Sequence, residues 1–191
     1  MKIAPSIAYH EAGHAAVAVY FRIGLKRVSV VPDPNYDGIC SQVQQTWFEK
    51  LDREDSDSIT KKAERQMMVA LAGPEAQRKF APTSIRRHQA RGDIKAVFEC
   101  AFSICGSAEE ASALVELLRI RTRNLLGMPF VWKGVKALAK QLLKRNEISG
   151  KHAKAIIESA DKPRDRIRIV HYRHSVVSPA LPTSPVSGAA V

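Results

Sequence analysis

Ile3, Ile7, His10, His14, Val17 and Phe21 recur three and four positions apart, the spacing that lines one face of an α-helix. The pattern predicts a first helix with two histidines on its apolar face, both turned toward the core. Gly24 is the expected stop. Residues 28–31 read as a short strand, residues 32–38 as a turn ending in Asp37-Gly38, and residues 39–45 as a second extended run. A small hairpin or two-strand patch follows from that order.

After a polar stretch over residues 49–58 the period returns to that of a helix. Residues 59–80 carry Ala63, Met67, Ala70 and Leu71 on one face, and Pro74, just after Gly73, predicts a break or kink. Arg86, Arg87, His88 and Arg91 form a basic loop before Asp93, which opens a helix running to about Cys105. Ser107 and Glu110 have capping-box spacing, and the helix they start ends at Gly127 with Pro129 beyond. Two further helical patterns cover residues 131–144 and 153–160. The fold class expected is mainly α, with a small β-hairpin or short sheet.

Composition changes this picture little until the C-terminus. A chain of 191 residues with 45% apolar content fits one domain with a true core. Residues 1–161 are assigned to that domain. Residues 162–191 carry Lys162, Arg164, Arg166, Arg168 and Arg173 against Asp165 alone, with Pro179, Pro182 and Pro185 among small residues. They read as a basic, Pro/Ser-rich flexible tail. A net charge of +11 raises attraction to polyanions in general, but identifies no groove-reading helix or stacking platform, so no specific nucleic-acid partner is expected.

Three cysteines in no metal-ligand spacing, and no run of 18 apolar residues, predict a cytoplasmic chain without a membrane span. His10, Glu11 and His14 interrupt the only N-terminal apolar run, which argues against a secretion signal. No phosphate-binding Gly-x-x-x-x-Gly-Lys-Ser/Thr loop occurs.

The chemistry lies in His10-Glu11-Ala12-Gly13-His14. Histidines at i and i+4 stack one turn apart, so both imidazoles reach one metal ion. Glu11 lies about 100° round the helix, where it can act on a water at that ion. Two core histidines held by ordinary hydrogen bonds are the alternative, but burying both costs free energy unless each finds a partner, and one shared Zn2+ satisfies both. Gly13 costs about 1 kcal/mol inside a helix, which either close approach of another backbone or simple tolerance would explain.

Zinc held by two histidines needs a third protein ligand and an open position. The candidates are Asp93, Glu75, Glu64 and His88. Asp93 has a competing role as a helix N-cap, and Glu75 is the reserve candidate.

The order of several short elements is recognisable. Residues 9–15, 28–32, Gly38, Leu71-Ala72-Gly73, Gly92-Asp93 and residues 142–150 together resemble the peptidase domain of the FtsH family, the membrane-anchored AAA zinc metalloproteases. The resemblance covers roughly residues 5–160. It implies a mostly helical domain whose third zinc ligand is Asp93. Two departures stand out. Pro74 and Ala76-Gln77 replace the family's Arg and Ala-Glu after the glycine, removing a glutamate that would support the site. The loop before Asp93 also lacks the family's Thr-Gly-Ala pattern.

The function expected is a zinc-dependent endopeptidase with ligands His10, His14 and Asp93 and Glu11 as general base. Because the chain begins nine residues before His10, no unfoldase is expected within it. Substrates would be flexible or unfolded polypeptides unless a separate ATPase partner acts, and the family's hexamer makes a homo-oligomer one possibility. Residues 28–31 read equally as an edge for pairing with an extended substrate and as a short strand that only covers the core. The reading from another class is a non-catalytic zinc-containing interaction or regulatory protein working through its basic tail.

Overall fold

The first helix, α1 (Pro5–Tyr20), begins with proline at a position where a missing N–H costs nothing. In the computed structural model, which describes residues 4–31, 39–42, 56–84 and 91–160, α1 is buried over most of its circumference. Ala8, Ala12, Ala15, Ala16 and Ala18 are small enough for neighbours to close in from several directions. The protein is mainly helical, as expected, with a small sheet at one side.

The chain leaves α1 through Arg22, which takes the left-handed conformation (φ 61°) expected of Gly24. It then forms β1 (Leu25–Ser29). β1 thus starts and ends earlier than residues 28–31. β2 (Ile39–Gln42) pairs antiparallel with it, and β3 (Glu147–Ser149) pairs antiparallel on the other side. The order is β2-β1-β3, with Val28 facing Cys40 in one neighbour and Ile148 in the other. Of the two readings of residues 28–31, this excludes the free edge. A short sequence repeat of β-branched residues cannot report a third strand arriving from more than 100 residues away. Among the described residues, β2 and β3 are the edges.

α2 (Ser56–Phe80) runs without interruption through Pro74, so of the break or kink expected there the break does not occur. Proline removes one backbone hydrogen bond and costs about 3 kcal/mol in a helix interior. Residues 71–77 are all buried, however, and burial of one Leu or Met side chain contributes about 1.5–3 kcal/mol. Packing of α2 against α1 and its later neighbours therefore outweighs the local penalty.

A single 3-10 turn (Pro82–Ser84) follows α2. The described chain resumes in α3 (Arg91–Phe102), so Asp93 lies inside the first turn and is not the N-cap; the helix ends before Cys105. α4 (Ala108–Gly127) has the anticipated start. Ser107 Oγ accepts from the Glu110 N–H at 3.1 Å, while the Glu110 carboxylate accepts from the Gly106 N–H at 2.8 Å. α5 (Pro129–Arg145), β3 and α6 (Gly150–Ser159) complete the domain. Asn146 (φ 62°) turns α5 into β3, as its short polar side chain permits. Leu118, Leu126, Leu138 and Leu142 from α4 and α5 join Met67, Leu71 and Val17 in one core around α1 and α2.

No helix among the described residues is long and apolar enough to cross a membrane. The tail at residues 162–191, the loop residues 86–88 and the turn at residues 32–38 lie outside the described residues.

Candidate metal centre

His10 and His14 are buried on α1, one turn apart, with Nε2 atoms 3.0 Å from each other. Glu11, buried between them in sequence, shares the same enclosed environment. Asp93 reaches in from the first turn of α3. One carboxylate oxygen lies 3.0 Å from His10 Nε2 and the other 3.5 Å from His14 Nε2. Neighbouring ligands of a tetrahedral zinc ion, each about 2.0–2.1 Å from the metal, stand about 3.3 Å apart. The spacing of these three groups fits that requirement. Asp93 is 25% exposed, so the site has a solvent-facing side.

Two glycines make the geometry possible. Gly13 presses α1 against α2 so closely that a Cβ there would sit 2.5 Å from the Ala72 carbonyl oxygen and from the Ala76 Cβ. Of the two explanations for Gly13, close backbone approach is the one these helices make. Gly73 leaves the space occupied by the imidazoles, since a Cβ there would meet His14 and come within 2.7 Å of His10 Nε2. Leu71-Ala72-Gly73 is therefore part of the site's wall.

α2 also sets the state of both rings. His14 Nδ1 lies 2.7 Å from the Val69 carbonyl oxygen, and His10 Nδ1 lies 3.0 Å from Gln77 Oε1. Both partners only accept, so both Nδ1 atoms carry the hydrogen. The Gln77 orientation is fixed in turn, because its Nε2 donates to the Ser84 carbonyl and hydroxyl oxygens at 3.3 Å each. Ser84 Oγ spends its own hydrogen on the Ala81 carbonyl. In its neutral form each ring presents a lone pair on Nε2, and the two lone pairs converge with a carboxylate. A cation held among them, or a proton on His14, satisfies such a set.

The electrostatics agree. Burial pulls the His14 pKa down, but the charge and hydrogen bond of Asp93, the Glu11 charge and the Val69 carbonyl overcome it and raise it to about 9. Burial would raise Asp93, yet the histidines hold its carboxyl well below the usual carboxylate range. Glu11 is shifted upward, chiefly by burial, against the pull of His14 and His10. A carboxylate displaced in that direction is suited to accept a proton and release it.

The other candidates for the third ligand lie elsewhere. Glu64 pairs with Arg121 at 3.3 Å. The reserve candidate Glu75 is buried, but it pairs with Arg78 and Arg119 beside a cavity of about 240 Å³. His88 lies outside the described residues. Among those described, His10, His14 and Asp93 form the one His/Cys/Asp/Glu group with potential ligand atoms all within 4.8 Å.

The Val69 carbonyl and Ser84 carry no sequence signal of their roles. Gln77 had one, as the residue standing where a supporting glutamate was missing. Cys40 lies on β2, which packs against α1; burial pushes its thiol well above its ordinary pKa, with Glu11 and Asp93 adding to the rise.

No protein-family profile matches this chain, and no curated protein matches it.

Proposed function

We propose that the chain is a zinc-dependent endopeptidase of the FtsH-peptidase kind, acting on flexible or unfolded polypeptides. The observation that carries this reading is the convergence of His10 Nε2, His14 Nε2 and the Asp93 carboxylate, with buried Glu11 next to them. His10, His14 and Asp93 would hold the ion. When bound, zinc supplies Lewis acidity that polarises a carbonyl and acidifies water at neutral pH.

The chain's own residues do the rest. Glu11 accepts the proton of the attacking water and delivers it to the departing amine, the transfer its upward-shifted pKa supports. Val69 and Gln77 hold the two rings in the tautomer that points Nε2 inward. Gly73 keeps the space between the rings and α2 clear. An extended substrate segment adds to the outer edge of β2, replacing β1 as the pairing edge, because β2 packs against α1, the helix that carries Glu11. A folded domain, stable by about 5–15 kcal/mol, would need an ATPase partner to open it. The cysteines, all three unpaired, fit a cytoplasmic location.

The test is cleavage of a fluorogenic unfolded protein by the zinc-loaded chain, with and without chelator. Glu11→Gln should retain the metal and lose turnover by several orders of magnitude. Equal cleavage by parent and Glu11→Gln refutes the general base. Stoichiometric zinc without chelator-sensitive cleavage refutes the peptidase and favours a non-catalytic interaction protein.

A further inference from the structure

α5 is charged unlike the other helices. It carries Lys133, Lys136, Lys140, Lys144 and Arg145 and has no acidic residue in 17 positions. Elsewhere the exposed faces mix signs, as where Glu116 pairs with Arg119 and Arg123 on α4, or Lys95 with Glu99 on α3. At about 100° per residue, the four lysines fall within a sector of about 80°. That sector is opposite the buried Val131, Val135, Leu138 and Leu142, and all four lysines are exposed. Along the axis the row spans about 16 Å.

Two large apolar side chains border the row. Leu143, 39% exposed, lies beside Lys136 in helical projection, and Phe130, 40% exposed, lies beside Lys144. We propose that this face of α5 docks on a membrane surface rich in anionic lipid. A row this long is too extended for one small anion, and its single sign suits a polyanionic surface. The flanking Phe and Leu choose among such surfaces. A phosphate backbone offers no apolar phase for them, whereas a lipid interface takes them between headgroups while the lysine stems reach outward to phosphate. The inference is independent of the metal site.

The experiment is co-sedimentation of the full chain with vesicles of phosphatidylcholine alone or with about 30% phosphatidylglycerol. Binding should require the anionic lipid and fall away at about 0.5 M salt, where the Debye length is about 4 Å. Lys136→Glu with Lys140→Glu, both on the exposed face, should weaken binding at least about tenfold, with the melting temperature unchanged. Phe130→Ser with Leu143→Ser should weaken it while leaving the salt dependence in place. Equal binding to neutral vesicles, full binding by the double lysine variant, or capture by duplex DNA without capture by vesicles would each overturn the proposal. The wild-type salt titration decides even if a variant fails to fold.

Discussion

Replacing Gly73 by alanine separates the demands of the helix from those of the site. In an ordinary helix interior the change would stabilise by up to about 1 kcal/mol. Here the new Cβ would lie 2.5 Å from His14 Cε1 and 2.7 Å from His10 Nε2, where ordinary contact begins at 3.4 Å. The His10 ring would have to retreat by about 0.7 Å and the His14 ring by more than about 0.9 Å, whereas metal–ligand distances tolerate about 0.2 Å. Their Nδ1 atoms are tied to Val69 and Gln77, so neither ring can retreat freely. Zinc affinity should therefore fall by about 10–100-fold, as when a supporting partner of a ligand is lost. At saturating metal that removes about 1.4–2.7 kcal/mol of zinc-dependent stabilisation.

Competition with a chromogenic chelator measures the affinity, and melting with and without zinc measures the stabilisation. Gly13→Ala is the control. Its clash lies between the two helices, at the Ala72 carbonyl oxygen and the Ala76 Cβ, so it should lower the melting temperature even without metal. If Gly73→Ala binds zinc as tightly as the parent, the rings do not occupy that space and the proposed metal centre is wrong.

Asp93→Ala should abolish tight zinc binding while the metal-free chain still folds, since the side chain is partly exposed at the start of α3; circular dichroism and metal analysis check both. Gln77→Leu removes the acceptor at His10 Nδ1 and should weaken zinc about 10–100-fold, while Gln77→Glu should restore affinity to the parent's or better. Nitrogen-15 spectra of His10 would show loss of the Nδ1–H tautomer in the first variant, and an unchanged tautomer would count against the assignment. In metal-stripped protein, His14 is raised to about 9, so its contribution to stability is complete below about pH 6.5 and is lost as pH rises through about 9. Denaturant titrations across that window should show the decline, and His14→Gln should remove it.

Much of the fold was legible because local signals agreed with the packing. The Ser107–Glu110 cap, the break at Gly127-Met128-Pro129 and the apolar periods of α1, α4 and α5 each specify a helix without reference to the rest of the chain. Two open readings were decided where tertiary contacts dominate. Pro74 breaks no helix, because the burial of residues 71–77 outweighs one missing hydrogen bond. Residues 28–31 form no edge, because β3 arrives from the far side of α5.

The sequence alone determined that two imidazoles and a carboxylate share one turn of an apolar helix, since helical geometry fixes the positions of residues i, i+1 and i+4. Which carboxylate closes the set was beyond local spacing, and only the family resemblance favoured Asp93 over Glu75 and Glu64. Only the tertiary structure brought Asp93 within 3.0 Å of His10, turned Glu75 toward Arg78 and Arg119, and supplied the Val69 and Gln77 acceptors. Local spacing fixes what one helix presents; the meeting of separate segments is set by the burial of the whole core.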